Sequence, residues 1–159
     1  MTGRHPRILP YSPELAPHFR RLNLEWIERL FTVEAHDLEV LDDPEGAVMT
    51  DGGEIFFALM GDEVVGCCAA IREPGDRWEL SKMAVDPEYQ GRGIGEMLGR
   101  KVIEYVLASD PRELYLVTNS SLHGAIRLYQ RLGFEHRPLP ADTGYARGDV
   151  MMVYQPTQP

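Results

Sequence analysis

The sequence predicts a mixed α/β fold in which helices flank a central, mostly antiparallel sheet. Two apolar runs at 54–60 and 63–72, joined by a tight turn at Gly61 and Asp62, are typical of a β-hairpin. Strand-like and amphipathic helical segments then alternate from residue 78 to residue 134, as in a βαβ unit. Together, an antiparallel first half and a βαβ-like centre indicate this fold class.

The first part of the chain predicts one strand and two helices before the hairpin. A short strand is expected at 7–10, where Pro10 ends it. Apolar residues recur at three- and four-residue spacing across 14–31, as a helix with one buried face requires. A second helix or helical turn is expected at 37–41, and a glycine pair at 52–53 marks the turn into the hairpin.

The second half of the chain predicts alternating strands and helices. Gly133 is the expected C-terminal stop of the last helix. The strands are expected at 78–85, 114–118, 134–137 and 150–154, the helices at 94–109 and 121–132, and a loop at 138–148. A length of 159 residues suits one domain, which we place at 1–155, with 156–159 as a tail.

Composition excludes several classes of function. The formal net charge of −9 disfavours nucleic-acid binding, which depends on neutralising phosphates. No apolar run approaches the ~20 residues needed to cross a bilayer, and no apolar segment follows the basic N-terminal residues as in a secretory signal. The adjacent Cys67 and Cys68 suit a reducing compartment, and the histidines lack metal-ligand spacing. We therefore expect a cytoplasmic protein without a metal or a membrane partner.

The most informative segment is the glycine-containing loop at 90–95, between a strand and a helix. Gly91, Gly93 and Gly95 let the backbone curve so that its N–H groups point into one concavity. The following helix adds its N-terminal N–H groups and the positive end of its dipole, which favours phosphate. A nucleoside-triphosphate loop is excluded because Glu96 follows, and that glutamate also occupies the place of the third glycine of a dinucleotide fingerprint.

The order Gln-x-x-Gly-x-Gly at 90–95 resembles the loop with which GNAT acetyltransferases hold the pyrophosphate of coenzyme A. The strand at 80–85 resembles the family's fourth strand, and Asn119 followed by the segment 125–134 resembles its second signature. The chain is therefore identified as a member of the GNAT N-acetyltransferases. The resemblance implies the GNAT fold, in which the fourth and fifth strands splay apart, and acetyl-CoA as co-substrate.

The resemblance also implies where coenzyme A binds. The contacts are expected at the end of the fourth strand, in the glycine loop and in the second signature. The residues are Met83, Val85, Gln90, Gly91, Arg92, Gly93, Ile94, Gly95, Asn119 and Ala125. In this arrangement the backbone N–H of Val85 stabilises the oxyanion that develops on the thioester carbonyl.

Two side chains resemble the catalytic residues of the family. Tyr129 precedes Gly133 by four residues, as does the tyrosine that protonates the sulfur of coenzyme A, although a core tyrosine would show the same spacing. Glu79 resembles the general base of the histone-acetylating branch, and strand alternation would place it on one face with Ser81 and Met83. An ordinary solvated carboxylate remains the alternative for Glu79, and a water chain can replace a base.

The acceptor is expected to be the primary amine of a small molecule, acetylated directly in a ternary complex. Trp26, Glu34 and Asp37 end the first helical region, where an acidic pocket would receive an ammonium group, and Tyr145 with Arg147 would close over it. Each of these also has a plain surface interpretation. A protein lysine or N-terminal acetyltransferase, or a sensor that binds acetyl-CoA without turnover, remain alternatives. A homodimer is compatible with the resemblance, and no sequence feature specifies one.

Overall fold

A computed structural model describes residues 5–139 and 147–156, which form one seven-stranded sheet with the strand order β1-β2-β3-β4-β5-β7-β6. The strands are β1 (Arg7–Pro10), β2 (Glu54–Met60), β3 (Glu63–Glu73), β4 (Arg77–Val85), β5 (Glu113–Thr118), β6 (Phe134–Arg137) and β7 (Val150–Tyr154). The helices are α1 (Ala16–Leu30), α2 (Ala35–Leu41), α3 (Ile94–Leu107) and α4 (His123–Leu132). Among the described strands only β4 and β5 pair in parallel, so the predicted mixed, mostly antiparallel sheet is confirmed.

Every strand and helix expected from the sequence is present, with ends that agree within two residues. Three short helical segments were not expected: 3₁₀ turns at Pro13–Leu15 and Pro87–Tyr89, and one π turn at Glu45–Met49. Segments of three to five residues are too short to display a repeating apolar face, so periodicity does not reveal them. No helix in the described part of the chain is long and apolar enough to span a membrane.

The sheet is covered by apolar side chains on both faces. On one face α1 and α2 pack their buried residues against β2 and β3, and Phe19 meets Phe57 edge to face at 6.5 Å. On the other face α3 and α4 pack against β4 and β5, with Leu98 and Val102 completely buried. Each such side chain contributes about 1.5–3 kcal/mol of burial free energy. The two helical layers therefore hold the sheet rigid on both sides of β4.

The pairing between β4 and β5 ends after three residues. The parallel register joins Arg77 to Glu113, Trp78 to Leu114 and Glu79 to Tyr115, and no pair follows in these two described strands. Beyond Glu79 each strand continues for several residues without its neighbour. The splayed fourth and fifth strands that the family resemblance implied are therefore present.

A β-bulge at Lys82 changes which side chains share a face of β4. Cys67 pairs with Ala84 and Ala69 pairs with Ser81. Between these two pairs β3 advances by two residues, whereas β4 advances by three. The extra residue is accommodated by Lys82, whose φ of 56° is left-handed. An inserted residue reverses the alternation of side chains along the strand beyond it.

The expectation that Met83 shares a face with Glu79 and Ser81 is therefore wrong. The side chain of Met83 packs towards α3, where a Cβ added to Gly99 would stand 3.5 Å from its Cε. Lys82 lies on the face of Glu79 instead. Its ammonium donates to Asp37 of α2, which packs on the α1–α2 side of the sheet. The bulge thus brings a lysine to the face where strict alternation predicts a methionine.

Candidate active site

A cavity of about 840 Å³ occupies the gap between the splayed strands. Its walls are the second half of β4, the end of β5, the glycine loop, the N-terminal parts of α3 and α4, and the last turn of α1. Eleven residues expected from the sequence to bind coenzyme or to react line it: Glu79, Met83, Val85, Gln90, Gly91, Gly93, Ile94, Gly95, Asn119, Ala125 and Tyr129. The structure therefore gathers residues from four separate segments at one site.

The glycine loop forms one wall of this cavity and needs glycine at two positions. Gly91 and Gly93 have φ values of 79° and 80°, a left-handed conformation that other residues adopt at a cost. A Cβ added at either position would project into open space. Gly93 is also the N-cap of α3, so the loop presents N–H groups and the helix dipole to the cavity, as an anion site requires.

Two further contacts fix the position of the loop. The side-chain amide of Gln90 donates to the carbonyl oxygen of Val85 at 3.0 Å, which ties the loop to the end of β4. Arg92 does not line the cavity, because its guanidinium lies over the ring of Tyr89, 5.0 Å from the centroid. The predicted contact between Arg92 and coenzyme A thus has no support from its position.

Asn119 holds the turn between β5 and α4 in place. Its side-chain amide donates to the carbonyl oxygen of Arg147 at 2.7 Å, and its side-chain oxygen accepts from the backbone N–H of Ser121 at 2.8 Å. These bonds join the mouth of the cavity to the residues just before β7. The residue therefore shapes the site as well as lining it.

Tyr129 lines the cavity from α4 with most of its side chain buried. Its ring meets Phe134 edge to face at a centroid distance of 6.1 Å, which fixes the ring plane. Burial, together with the nearby Cys68 thiol, raises the pKa of its hydroxyl above the ordinary value. A hydroxyl that keeps its proton at neutral pH can act as a proton donor.

Glu79 lies, partly buried, at the point where β4 and β5 separate, and the charges of Glu73, Lys82 and Arg77 act on its carboxyl group. Burial, and secondarily the charge of Glu73, raise its pKa to about 7, while the charges of Lys82 and Arg77 oppose that shift. A carboxyl group with a pKa near neutrality exchanges protons readily at physiological pH. Glu79 can therefore exchange a proton with a molecule bound in the cavity.

A network of four charged side chains lies beside Glu79. The carboxylate of Asp37 accepts from the ammonium of Lys82 at 2.8 Å and from both terminal nitrogens of Arg147, at 2.8 and 2.5 Å. Arg147 also donates to Glu34 at 3.3 Å. Burial opposes ionisation of Asp37, but the hydrogen bonds from Arg147 and Lys82 outweigh it and hold its pKa well below the usual range.

The acidic pocket expected from Glu34 and Asp37 is replaced by a cationic one. Asp37 is completely buried, neither carboxylate lines the cavity, and both hold Arg147 instead. The cavity wall there consists of Trp26 and Arg147, which were expected at this site, together with Arg29 and Lys82. Tyr145 lies outside the described residues.

Lys82 was missed as a site residue. The only sign of it in the sequence is a charged residue inside the apolar strand 80–85, where a solvent-facing lysine would look the same.

Among residues 5–139 and 147–156, no three histidine, cysteine, aspartate or glutamate side chains are grouped to hold a metal ion.

Comparisons with known proteins identify the family of the chain. The family model described as the acetyltransferase (GNAT) family matches residues 19–134. The N-acetylaspartate synthetase of Xenopus tropicalis is 37% identical over 98 residues, which cover 60% of this chain and 36% of that protein. The chain thus spans about a third of the length of that curated relative.

Solved structures share the fold over nearly the whole chain. A GNAT-family acetyltransferase from Staphylococcus aureus Mu50 has a TM-score of 0.85 at 22% identity, covering 94% of this chain and 98% of that one. A Bacillus subtilis acetyltransferase in complex with CoA has a TM-score of 0.71 at 19% identity, covering 96% and 100%. Because the family model covers more than half of the sequence, the chain belongs to the GNAT acetyltransferase family.

Replacing Gly93 by alanine should weaken coenzyme A binding at least ~10-fold, because the added methyl enters the concavity and strains the left-handed backbone. The measurement is calorimetric titration with coenzyme A. Gly75→Ala is the matched control, since Gly75 has a φ of 77° in a turn outside the cavity. Equal binding by the two variants would refute the placement of the coenzyme site.

Replacing Asp37 by alanine should lower the free energy of unfolding by about 3–5 kcal/mol, because two buried cations lose their shared partner. Asp42→Ala, which removes a half-exposed pair with Arg20, should cost at most about 1 kcal/mol. Urea denaturation measures both. Since the folded pKa of Asp37 is depressed, its contribution is complete above the unfolded pKa of ~3.9 and declines as the pH falls below it. A cost as small as that of Asp42→Ala would contradict the role of the network.

Proposed function

We propose that this chain transfers the acetyl group of acetyl-CoA directly to the primary amine of a small molecule within a ternary complex. The observation that carries the proposal is the opening between β4 and β5, which places Glu79 and Tyr129 on one cavity with the glycine loop. An anion site, a base and a proton donor are the groups that acetyl transfer needs. Membership of the acetyltransferase family supports the same reaction.

The residues present fit coenzyme A. The space that a Cβ at Gly91 or Gly93 would occupy is open, and the N-terminus of α3 adds a positive dipole for a pyrophosphate. Met83 and Val85 lie on the part of β4 that has no β5 neighbour, where backbone groups can bond an extended pantetheine arm. The CoA complex of the Bacillus subtilis protein, which shares the fold, supports this assignment.

The proposed reaction includes two proton transfers, one to Glu79 and one from Tyr129. The amine nitrogen attacks the thioester carbonyl carbon, and Glu79 accepts the proton that the nitrogen gives up. The backbone N–H of Val85 stabilises the oxyanion, as a preorganised donor in a partly dry site does. When the carbon–sulfur bond breaks, Tyr129 donates its proton to the leaving thiolate.

The proposal of a small-molecule acceptor draws on the relative named N-acetylaspartate synthetase, whose name specifies aspartate, a small amine. An acceptor on a protein and a sensor without turnover are the competing outcomes. They are separated by measuring acetyl-CoA binding first, and then thiol release in the same sample across a panel of amines. Binding without release from any small amine would contradict the proposal.

Tyr129→Phe should lower kcat by about 10²–10⁴-fold and leave acetyl-CoA binding unchanged, because only the proton donor is lost. The thiol-release assay with the best amine of the panel measures kcat. Tyr154→Phe is the matched control, since Tyr154 also packs its ring on Phe134 but lies outside the cavity. An unchanged kcat in Tyr129→Phe would exclude it as the acid.

Glu79→Gln should remove the part of the pH dependence of kcat/KM that comes from the ionisation of Glu79. Because the base works only when ionised and its pKa is about 7, the ratio of wild-type to variant kcat/KM should rise about tenfold per pH unit below 7 and level off above it. Taking the ratio cancels the titration of the amine itself. Glu135→Gln, which alters an exposed strand carboxylate, is the control. A ratio that does not change with pH would indicate that water serves as the base.

A further inference from the structure

We infer that the acceptor amine also carries a carboxylate, and that Lys82 and Arg147 hold this carboxylate beside Glu79. The inference rests on the proposed function and narrows its substrate class to amino acids. We use the name acceptor end for the part of the cavity wall formed by Trp26, Glu79, Lys82 and Arg147.

The bulge in β4 puts a cation next to the base. Strict alternation would turn Lys82 away from the face that carries Glu79, but the inserted residue brings both to the same face. Both side chains line the cavity, three residues apart on the same strand. A molecule whose amine reaches Glu79 therefore has a positive charge within reach of its other end.

Arg147 adds a second cation to the acceptor end. Its guanidinium shares the carboxylate of Asp37 with the ammonium of Lys82, and lies over the ring of Trp26 at 5.9 Å from the centroid. A planar guanidinium is the side chain best matched to a carboxylate. With Asp37 behind it and Trp26 beside it, the group is held in one orientation, which lowers the entropy lost on binding.

The charge distribution across the wall favours an anion. The chain has a formal net charge of −9, yet at the acceptor end two cations, Lys82 and Arg147, stand against the single carboxylate of Glu79. Glu79 is the carboxylate that lines this end among the described residues, while Glu34 and Asp37 lie behind the wall. A second ammonium on the acceptor would meet like charges there, whereas a carboxylate would meet opposite ones.

Lys82 has a left-handed backbone conformation, which is unusual for a residue other than glycine. A left-handed conformation costs about 1–2 kcal/mol for a residue with a Cβ, and Lys82 adopts it with a φ of 56°. Burial also lowers the pKa of its ammonium, against the opposing effect of Asp37. Strained, buried charges of this kind concentrate at binding sites, where a ligand uses them.

The test compares amino acids with their amides, which have nearly the same shape without the charge. The pairs are glycine with glycinamide, β-alanine with β-alaninamide, and aspartate with its diamide. Thiol release from acetyl-CoA gives kcat/KM for each, and calorimetry gives the affinity of each for the chain saturated with coenzyme A. In the best pair we expect kcat/KM to be at least ~10-fold higher for the amino acid than for its amide. A hydrogen bond to a charged group contributes enough free energy for a difference of this size.

Arg147→Gln should reduce that preference at least ~10-fold, and Arg147→Lys, which keeps the charge, should retain part of it. Coenzyme A binding by each variant shows that it is folded. A role limited to holding Asp37 would change stability and would alter the rates with carboxylates and amides equally, so the ratio between them separates recognition from support.

Three outcomes decide the matter. Preference for carboxylates that depends on Arg147 supports the inference. Thiol release with no preference for carboxylates, or with a preference for amides, overturns the inference and leaves the proposed function intact. Selective binding of carboxylates without thiol release from any amine supports the carboxylate site and contradicts the proposed transfer reaction.

Discussion

The site depends on one interruption of backbone hydrogen bonding, the end of the β4–β5 ladder at Glu79 and Tyr115. Had the two parallel strands stayed paired, their neighbouring backbones would stand about 4.8 Å apart and leave no cavity. The opening exposes backbone groups on the second half of β4 that must find other partners. The same interruption therefore provides both the space for an extended ligand and the unpaired backbone groups that such a ligand can bond.

The second constraint is a single buried carboxylate. Asp37 caps the start of α2 by accepting from the backbone of Glu34, and it pairs with Lys82 of β4 and with Arg147. One side chain thereby fixes three segments that are distant in the sequence around the acceptor end. Because its charge is offset by two cations, burial of the group is tolerated, and losing any member would leave another charge uncompensated. Stability and the recognition we infer for the acceptor therefore depend on the same group of charged side chains.

Much of the fold was predictable because its elements are long and regularly patterned. The hairpin, the amphipathic helices α1 and α3 and the strands around the glycine loop all show their period in the sequence, and the family resemblance supplied the splay. The glycine loop was predictable because its left-handed backbone at Gly91 and Gly93 requires glycine for steric reasons. Arg92 was less well predicted, since a local contact with Tyr89 takes its side chain away from the cavity.

The acceptor end was not predictable for a physical reason. A bulge adds one residue to a strand without changing its composition, so nothing in 80–85 shows that Lys82 and Met83 exchange faces. Likewise, Asp37 and Glu34 look like a surface pair, and only the three-dimensional approach of Lys82 and Arg147 turns them inward. Long-range pairing of charges leaves no periodic trace along the chain.

The most direct test of this account is amide hydrogen exchange with and without acetyl-CoA, resolved along the backbone. If the opening between β4 and β5 is the coenzyme site, acetyl-CoA should slow exchange in 80–85 and in 90–95, and leave the β1–β2 edge of the sheet unchanged. Slower exchange confined to other segments, or no change at saturating acetyl-CoA, would contradict the account.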